Sequence, residues 1–132
     1  MNSAIHVFKF GGASVKDANA VLNVVELIKK HDRFKLVVVV SAMGKTTNKL
    51  EHIFNSFIKK DREAYFKSVN ELKMFHLNII QDLFKNDSFE EVNEIINALF
   101  NQITSFYDKT ENENRSYLYD QLIPFGEMLS TK

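Results

Sequence analysis

Two apolar runs in the first third of the chain predict buried β-strands. One covers residues 4 to 10, and the other is the β-branched run from Leu36 to Val40. Neither run alternates apolar with polar side chains, which is typical of strands buried on both faces of a parallel sheet. Asp17 is the predicted N-cap of a helix between them, whose apolar residues at helical spacing are Val21, Val24, Val25 and Ile28. This order predicts a right-handed βαβ unit.

A helical period replaces the strand pattern from residue 49 onward. A helix is predicted from about residue 62 to residue 85, with Phe75 or His76 facing inward, and Asn86-Asp87 should end it. The helix before it has an apolar stripe on Leu50, Ile53, Phe54, Phe57 and Ile58. These stripes predict that helices form a large portion of the fold.

A third helix and a final helical segment complete the pattern. Ser88 and Glu91 fit a capping box at the start of the third helix, whose apolar stripe runs from Phe89 to Phe106. Residues 108–116 are polar and predict a solvated loop. The segment after this loop is again near-helical, and Pro124 should start or kink its helix. Because only two strands are evident, fewer than a finished sheet has, we expect a larger protein of which this chain is the N-terminal part.

Composition narrows the class of protein. The chain has 132 residues, with 17 basic and 17 acidic side chains and a formal net charge of zero. This balance argues against a general binder of nucleic acids or membrane surfaces. With no cysteine, a disulfide framework, a thiolate metal site and a cysteine nucleophile are excluded. The four histidines lack metal-binding spacing, no signal peptide or long apolar span is visible, and we expect a cytoplasmic protein.

The first strand carries one lysine, Lys9, and ends at Gly11-Gly12. A lysine in an otherwise buried strand needs a partner, because an unpaired buried ammonium group is costly. One interpretation is a phosphate site, in which the cation and the glycine N–H groups face phosphoryl oxygens. The other is a lysine that reaches solvent from the strand end beside an ordinary glycine turn, and the spacing favours neither.

A second loop, Ser41 to Asn48, directly follows the second strand. Both loops lie at the edge where open α/β sheets bind ligands, because parallel strands end on the same side. Gly44-Lys45-Thr46 is not a P-loop, since Val39 occupies the position where that motif needs glycine. The loop has three hydroxyl side chains, on Ser41, Thr46 and Thr47. They either donate hydrogen bonds to an anionic substrate or cap the next helix.

Glu127 follows Gly126 in the last helical segment. A glycine inside a helix costs about 1 kcal/mol relative to alanine, so it indicates close packing or a nearby ligand. Glu127 is then either a carboxylate that binds an ammonium group or an ordinary exposed glutamate.

Three segments resemble the motifs of aspartate kinases, in the same order and with similar spacing. Lys9–Val15 reads K-F-G-G-A-S-V and resembles the opening motif K-F-G-G-T-S-V. Val38–Asn48 resembles the second motif, a strand followed by Ser-Ala and ending in Thr-Asn, and Gly126–Ser130 resembles the third, G-E-x-x-S. The collinear resemblance spans nearly all of the chain.

The resemblance implies the amino-acid-kinase fold, a three-layer α/β/α sandwich, here incomplete, with a small parallel sheet and a large helical portion. It implies transfer of the γ-phosphoryl group of ATP, with magnesium, to the side-chain carboxylate of L-aspartate. The product, 4-phospho-L-aspartate, begins the synthesis of lysine, threonine and methionine. Residues 1–132 would be the N-terminal, aspartate-binding part of the catalytic domain, without the nucleotide-binding half and the ACT domains, and would be inactive alone. The full-length protein would be a homo-oligomer.

The resemblance also implies roles for individual residues. Lys9 would stabilise the phosphoryl group during transfer. Aspartate would be bound by Ser41 and Thr47, and its amino group by Glu127. The segment in contact with ATP would be Lys9, Phe10, Gly11 and Gly12.

Two alternatives remain open. Another member of the amino-acid-kinase family would act on glutamate, carbamate or a nucleoside monophosphate. A non-catalytic helical interaction module would instead use the Phe-rich helical region of residues 49–107.

Overall fold

The chain folds into a two-stranded parallel sheet and a larger set of helices. A computed structural model describes residues 4–85, 89–109 and 114–132. The strands are β1 (Ile5–Phe10) and β2 (Lys35–Val40). The α-helices of the described residues are α1 (Ala18–Lys29), α2 (Thr46–Ile58), α3 (Arg62–Leu83), α4 (Glu90–Ser105), α5 (Arg115–Leu122) and α6 (Phe125–Ser130), and two short 3₁₀ helices cover Gly12–Val15 and Phe106–Asp108. The predicted fold class, a small parallel sheet with a large helical portion, is confirmed.

The two strands pair in parallel, with Ile5 opposite Lys35 and Phe10 opposite Val40. Both strands therefore end at the same edge of the sheet, as the sequence predicts. Helix α1 lies between them in the chain. Its predicted N-cap is confirmed, because the N–H group of Ala20 donates to the carboxylate of Asp17 at 2.8 Å.

One face of the sheet is open to solvent, although the sequence predicted that both faces are buried. Val7 on this face is 65% exposed. The opposite face is partly covered by the turn after α1, where His6 stacks on Phe34 with ring centroids 4.3 Å apart. An apolar run indicates that a strand avoids water, but it does not say which element covers each face. The open face carries Ile5, Val7, Lys9, Lys35, Val37 and Val39.

The core lies among the helices. Its fully buried side chains include Leu50, Ile53, Tyr65, Leu72, Ile103 and Leu122. The hydroxyl group of Tyr65 donates to the carbonyl oxygen of Ile103 and so ties α3 to α4. Helix α6 joins the same core through Phe125 and Leu129. The short last helix is thus held by the larger helices before it.

Most helix predictions from periodicity are confirmed. Helix α3 occupies the predicted range, and Pro124 is the N-cap of α6, so it starts a helix as expected. At the edges of their apolar stripes, Val25 and Ile58 are exposed and not inward.

In the part of the chain that the structure describes, no helix has the length and apolar character needed to cross a membrane.

The predicted loop over residues 108–116 is wrong at its end. Helix α5 begins at Arg115, because the side chain of Asn114 caps it by accepting a hydrogen bond from the N–H group of Ser116 at 2.8 Å. The predicted break at Asn86-Asp87 and the capping residue Ser88 lie outside the described residues.

His76 is the buried member of the pair Phe75 and His76, and it should make the stability of the chain depend on pH. Burial lowers the pKa of His76 below its ordinary value of 6.5; the hydrogen bond to the Leu72 carbonyl opposes this shift, and the charge of Lys49 adds to it. Between the lowered pKa and about pH 6.5, the unfolded chain then binds more protons than the folded chain. Stability is therefore fully present above that pH and is lost as the pH falls toward the lowered pKa.

We expect His76→Leu to reduce the slope of unfolding free energy against pH between about pH 7 and pH 5, by at most about 1.4 kcal/mol per pH unit. Urea unfolding of both proteins across this range measures the slope. His52→Leu, at an exposed position on α2, should keep the original slope. Equal slopes for the original chain and His76→Leu would show that His76 does not contribute.

Candidate functional site

The loops after β1 and β2 are joined by main-chain hydrogen bonds. The N–H group of Ser41 donates to the carbonyl oxygen of Phe10 at 3.0 Å, which extends the strand pairing by one step. The N–H group of Gly44 donates to the carbonyl oxygen of Gly12, also at 3.0 Å. The two loops predicted to share an edge therefore form one continuous structure.

The two glycines of the first loop play different structural parts. A Cβ atom on Gly12 would lie 2.7 Å from the carbonyl oxygen of Ala42 and 2.8 Å from that of Gly44. Both distances are far below contact distance, so only glycine fits there. A Cβ atom on Gly11 would meet nothing within 4 Å, and the main chain at this position is open to approach.

Gly44 forms the turn of the second loop. Its φ angle is +53°, a left-handed conformation that L side chains rarely adopt. A Cβ atom there would lie 3.6 Å from the ring of Phe75 and 3.8 Å from Lys16. The turn thus rests between α3 and the segment that precedes α1.

Helix α6 packs directly on the second loop. Gly126 is buried, and a Cβ atom on it would lie 2.9 Å from the Cβ atom of Ala42 and 3.6 Å from the methyl group of Thr46. The carbonyl oxygen of Ala42 therefore packs against Gly12, and its side chain packs against Gly126. The three motif segments, which are distant in the sequence, meet at this residue.

Lys9 lies on the open face, near the edge where the loops meet. It stands opposite Val39 in the sheet and is exposed, so the prediction that its strand is buried on both faces is wrong at this position. Its neighbours on this face are themselves exposed, which keeps its ammonium group in water. Within the described ranges it forms no ion pair, and it remains available to an anion.

The other predicted site residues lie on the segments that meet at Ala42. Ser41 and Thr47 are half-buried, and Glu127 is exposed in the first turn of α6. Thr46 is 1% exposed, and its hydroxyl group has no hydrogen-bond partner among the described residues. The structure brings the segments together, and the roles of the individual side chains stay predictions.

Several of the grooves and cavities that the described residues form lie around these helices, and in four of them the walls do not include Lys9, Ser41, Thr47 or Glu127. One cavity, of about 200 Å³, reaches the motif segments through Met43 and Leu129. Sequence patterns carry no signal for this cavity, because its walls come from four separate helices. Among the described residues, no group of three or more His, Cys, Asp or Glu side chains is placed to hold a metal ion.

A family comparison agrees with this arrangement. The model of the amino acid kinase family matches residues 4–114. The chain belongs to this family. The matched range contains both loops, and the G-E-x-x-S segment of α6 follows it.

Relatives that match this chain include aspartokinases. Aspartokinase 2, chloroplastic, of Arabidopsis thaliana is 32% identical over 136 residues, which cover 96% of this chain and 23% of the relative. Aspartokinase 3, chloroplastic, of the same plant is 54% identical over 44 residues, 33% of this chain and 8% of the relative. This chain thus spans about a quarter of the length of the first of these relatives.

The fold also matches a solved member of the family. The crystal structure of E. coli aspartokinase III in complex with aspartate and ADP superposes with a TM-score of 0.82 and 26% identity. The match covers 97% of this chain and 27% of that chain. The two-stranded sheet and the helices after it therefore have the same arrangement in both proteins.

We expect Gly12→Ala to destabilise the chain by about 1–3 kcal/mol, because its Cβ atom would push two carbonyl oxygens of the second loop away. The matched control is Gly11→Ala. Gly11 has a φ angle of −75° and free space around it, so alanine should be neutral or stabilise the chain by up to about 1 kcal/mol. Urea unfolding of the two variants measures the difference. Equal stabilities would mean that the close contact with Ala42 is not a constraint.

Proposed function

We propose that this chain is the aspartate-binding part of the catalytic domain of an aspartate kinase. The observation that carries the proposal is the meeting of three motif segments at Ala42, through Gly12 and Gly126. The names of the relatives support it, since those that match nearly the whole chain are aspartokinases. The reaction is transfer of the γ-phosphoryl group of ATP to the side-chain carboxylate of L-aspartate, at the start of lysine, threonine and methionine synthesis.

In the proposed reaction the substrate itself is the nucleophile. A carboxylate oxygen of aspartate forms a bond to the γ-phosphorus, the bond from that phosphorus to the bridging oxygen breaks, and ADP leaves with the electron pair. The protein has to position the reactants and stabilise negative charge on the phosphoryl oxygens. A lysine at the edge of the sheet can reach a phosphoryl group bound there, and we assign this role to Lys9.

The main chain beside Lys9 is suited to phosphate. Nothing lies within 4 Å of the position of a Cβ atom on Gly11, so a phosphoryl group can approach the main chain there. We assign contacts with ATP to Phe10, Gly11 and Gly12. We propose that magnesium enters with the phosphates of ATP.

The aspartate would bind on the side of the second loop and α6. Ser41 and Thr47 are half-buried hydroxyl groups that can donate hydrogen bonds to its carboxylates. The exposed carboxylate of Glu127 can bind its ammonium group. The matched E. coli enzyme has aspartate and ADP bound, which supports this pair of ligands. Assembly into a homo-oligomer and a cytoplasmic location stay predictions.

The proposal is tested by placing this chain in E. coli aspartokinase III in place of the segment it matches. The hybrid should form an acyl phosphate, trapped as a hydroxamate, only when ATP and aspartate are both present. The 132-residue chain alone should form none. A hybrid that ignores aspartate and phosphorylates glutamate or carbamate would refute the substrate assignment.

In the same hybrid, Lys9→Ala should lower kcat by a factor on the order of 10²–10³, as expected for loss of a group that stabilises charge in the transition state. Lys35→Ala is the matched control, because Lys35 lies on the same open face at the opposite end of the sheet. It should keep the activity of the hybrid. A loss of about tenfold or less in Lys9→Ala would count against its assigned role.

A further inference from the structure

A groove of about 440 Å³ lies between the start of α2 and α3, and its walls contain none of the residues assigned to ATP or aspartate. The residues in its walls are all polar or charged. They are Lys45, Asn48, Lys49 and His52 at the start of α2, and Ser68 and Glu71 on α3. With two lysines against one glutamate, and histidine counted as neutral, the groove carries a net positive charge.

The two lysines occupy positions that disfavour a cation in α2. Lys45 is the N-cap residue, where a side chain that accepts hydrogen bonds is preferred, and its side chain forms no capping bond. Lys49 lies four residues later, so both ammonium groups stand at the positive end of the helix dipole. Like charges four residues apart also repel each other, and the first turn contains no acidic residue to offset them. Both charges therefore destabilise α2.

The rest of the described chain does not neutralise these charges. Over residues 4–85, 89–109 and 114–132, neither lysine forms an ion pair, although Glu71 lies in the same groove. Lys49 is half-buried, and its Nζ atom lies 5.4 Å from the centre of the Phe75 ring, a contact that restrains the ammonium group. A partly buried cation without a counter-ion is unfavourable, so its position at a groove indicates an anionic partner.

We propose that this groove binds a small molecule that carries a phosphate or pyrophosphate group, whose oxygens accept hydrogen bonds from Lys45 and Lys49. Residues four apart on a helix have Cβ atoms about 5–6 Å apart, so two lysine side chains can reach one phosphoryl group. A phosphate group carries a charge of about −1.5 to −2 at pH 7, which matches two ammonium groups better than a single carboxylate does. The amide of Asn48 and the hydroxyl group of Ser68 can donate further hydrogen bonds.

The proposed anion site is separate from the proposed kinase site and does not depend on it. Thr47, which is assigned to aspartate, lies in the same turn of α2 as Lys49. The two residues are separated by about 200° around the helix axis, so their side chains leave opposite sides of the helix. An anion in the groove would stabilise the turn that carries Thr47, because it offsets the two cations there.

The test titrates inorganic pyrophosphate into the ¹⁵N-labelled chain and follows the amide resonances of Ser68 and Glu71. Both residues lie on α3, which carries no residue assigned to ATP or aspartate, so binding near Lys9 is not what these resonances report. The shifts should saturate and give a Kd. Lys45→Gln and Lys49→Gln should each raise this Kd at least about threefold, because each removes one charged donor. Glu71→Gln should lower it, because the variant removes the negative charge of the groove.

Lys59→Gln is the matched control, because Lys59 is an exposed lysine at the other end of α2, about 15 Å beyond Lys49. It should keep the original Kd. Lys45→Gln should fold normally, since it removes a cation from the start of a helix. The proposal is overturned if the shifts of Ser68 and Glu71 do not saturate, if Lys59→Gln raises the Kd as much as the two groove variants do, or if Glu71→Gln does not lower it.

Discussion

The structure depends on close packing around Ala42. Its carbonyl oxygen faces Gly12, and its side chain faces Gly126, at distances that leave no room for a Cβ atom on either glycine. Larger residues would separate the first loop from the second, or α6 from the second loop. The hydrogen bond from the N–H group of Gly44 to the carbonyl oxygen of Gly12 also holds the main chains of the two loops close together. The geometry of the candidate site is therefore fixed by small residues, which are not themselves the proposed reactive groups.

The helices between the second and third motifs hold this packing in place. Helix α6 has only six residues, too few to be stable alone in water. It packs on α2 and α4, and Leu50, which is fully buried, lies beneath Gly126. The bond from Tyr65 to Ile103 ties the long helices of the same core together. A large, apolar helical region is thus required to bring one short helix against a loop from the first third of the chain.

Features that a residue sets by its own chemistry could be predicted from the sequence. Features that depend on which elements pack against each other could not. Asp17 and Pro124 mark helix starts by their own chemistry, and both are confirmed. The apolar pattern of β2 could not show that Val39 would be exposed, because a pattern does not identify what covers a face. Periodicity left Phe75 and His76 equivalent, and only the packing of α3 buries the histidine. For the same reason, the difference between the two glycines of the first loop is invisible until the second loop is in place.

The exposure of Lys9 constrains how the proposed chemistry can work. Two charges interact about four times more strongly at an effective dielectric constant of about 20 than in bulk water. A lysine that stays in water therefore gives a transferring phosphoryl group little stabilisation. Lys9 can therefore act as proposed only when this end of the open face is shielded from water in the reacting complex. The exposed Val39 beside Lys9 is an apolar surface whose burial would favour such shielding, whether by another part of the protein or by the substrates.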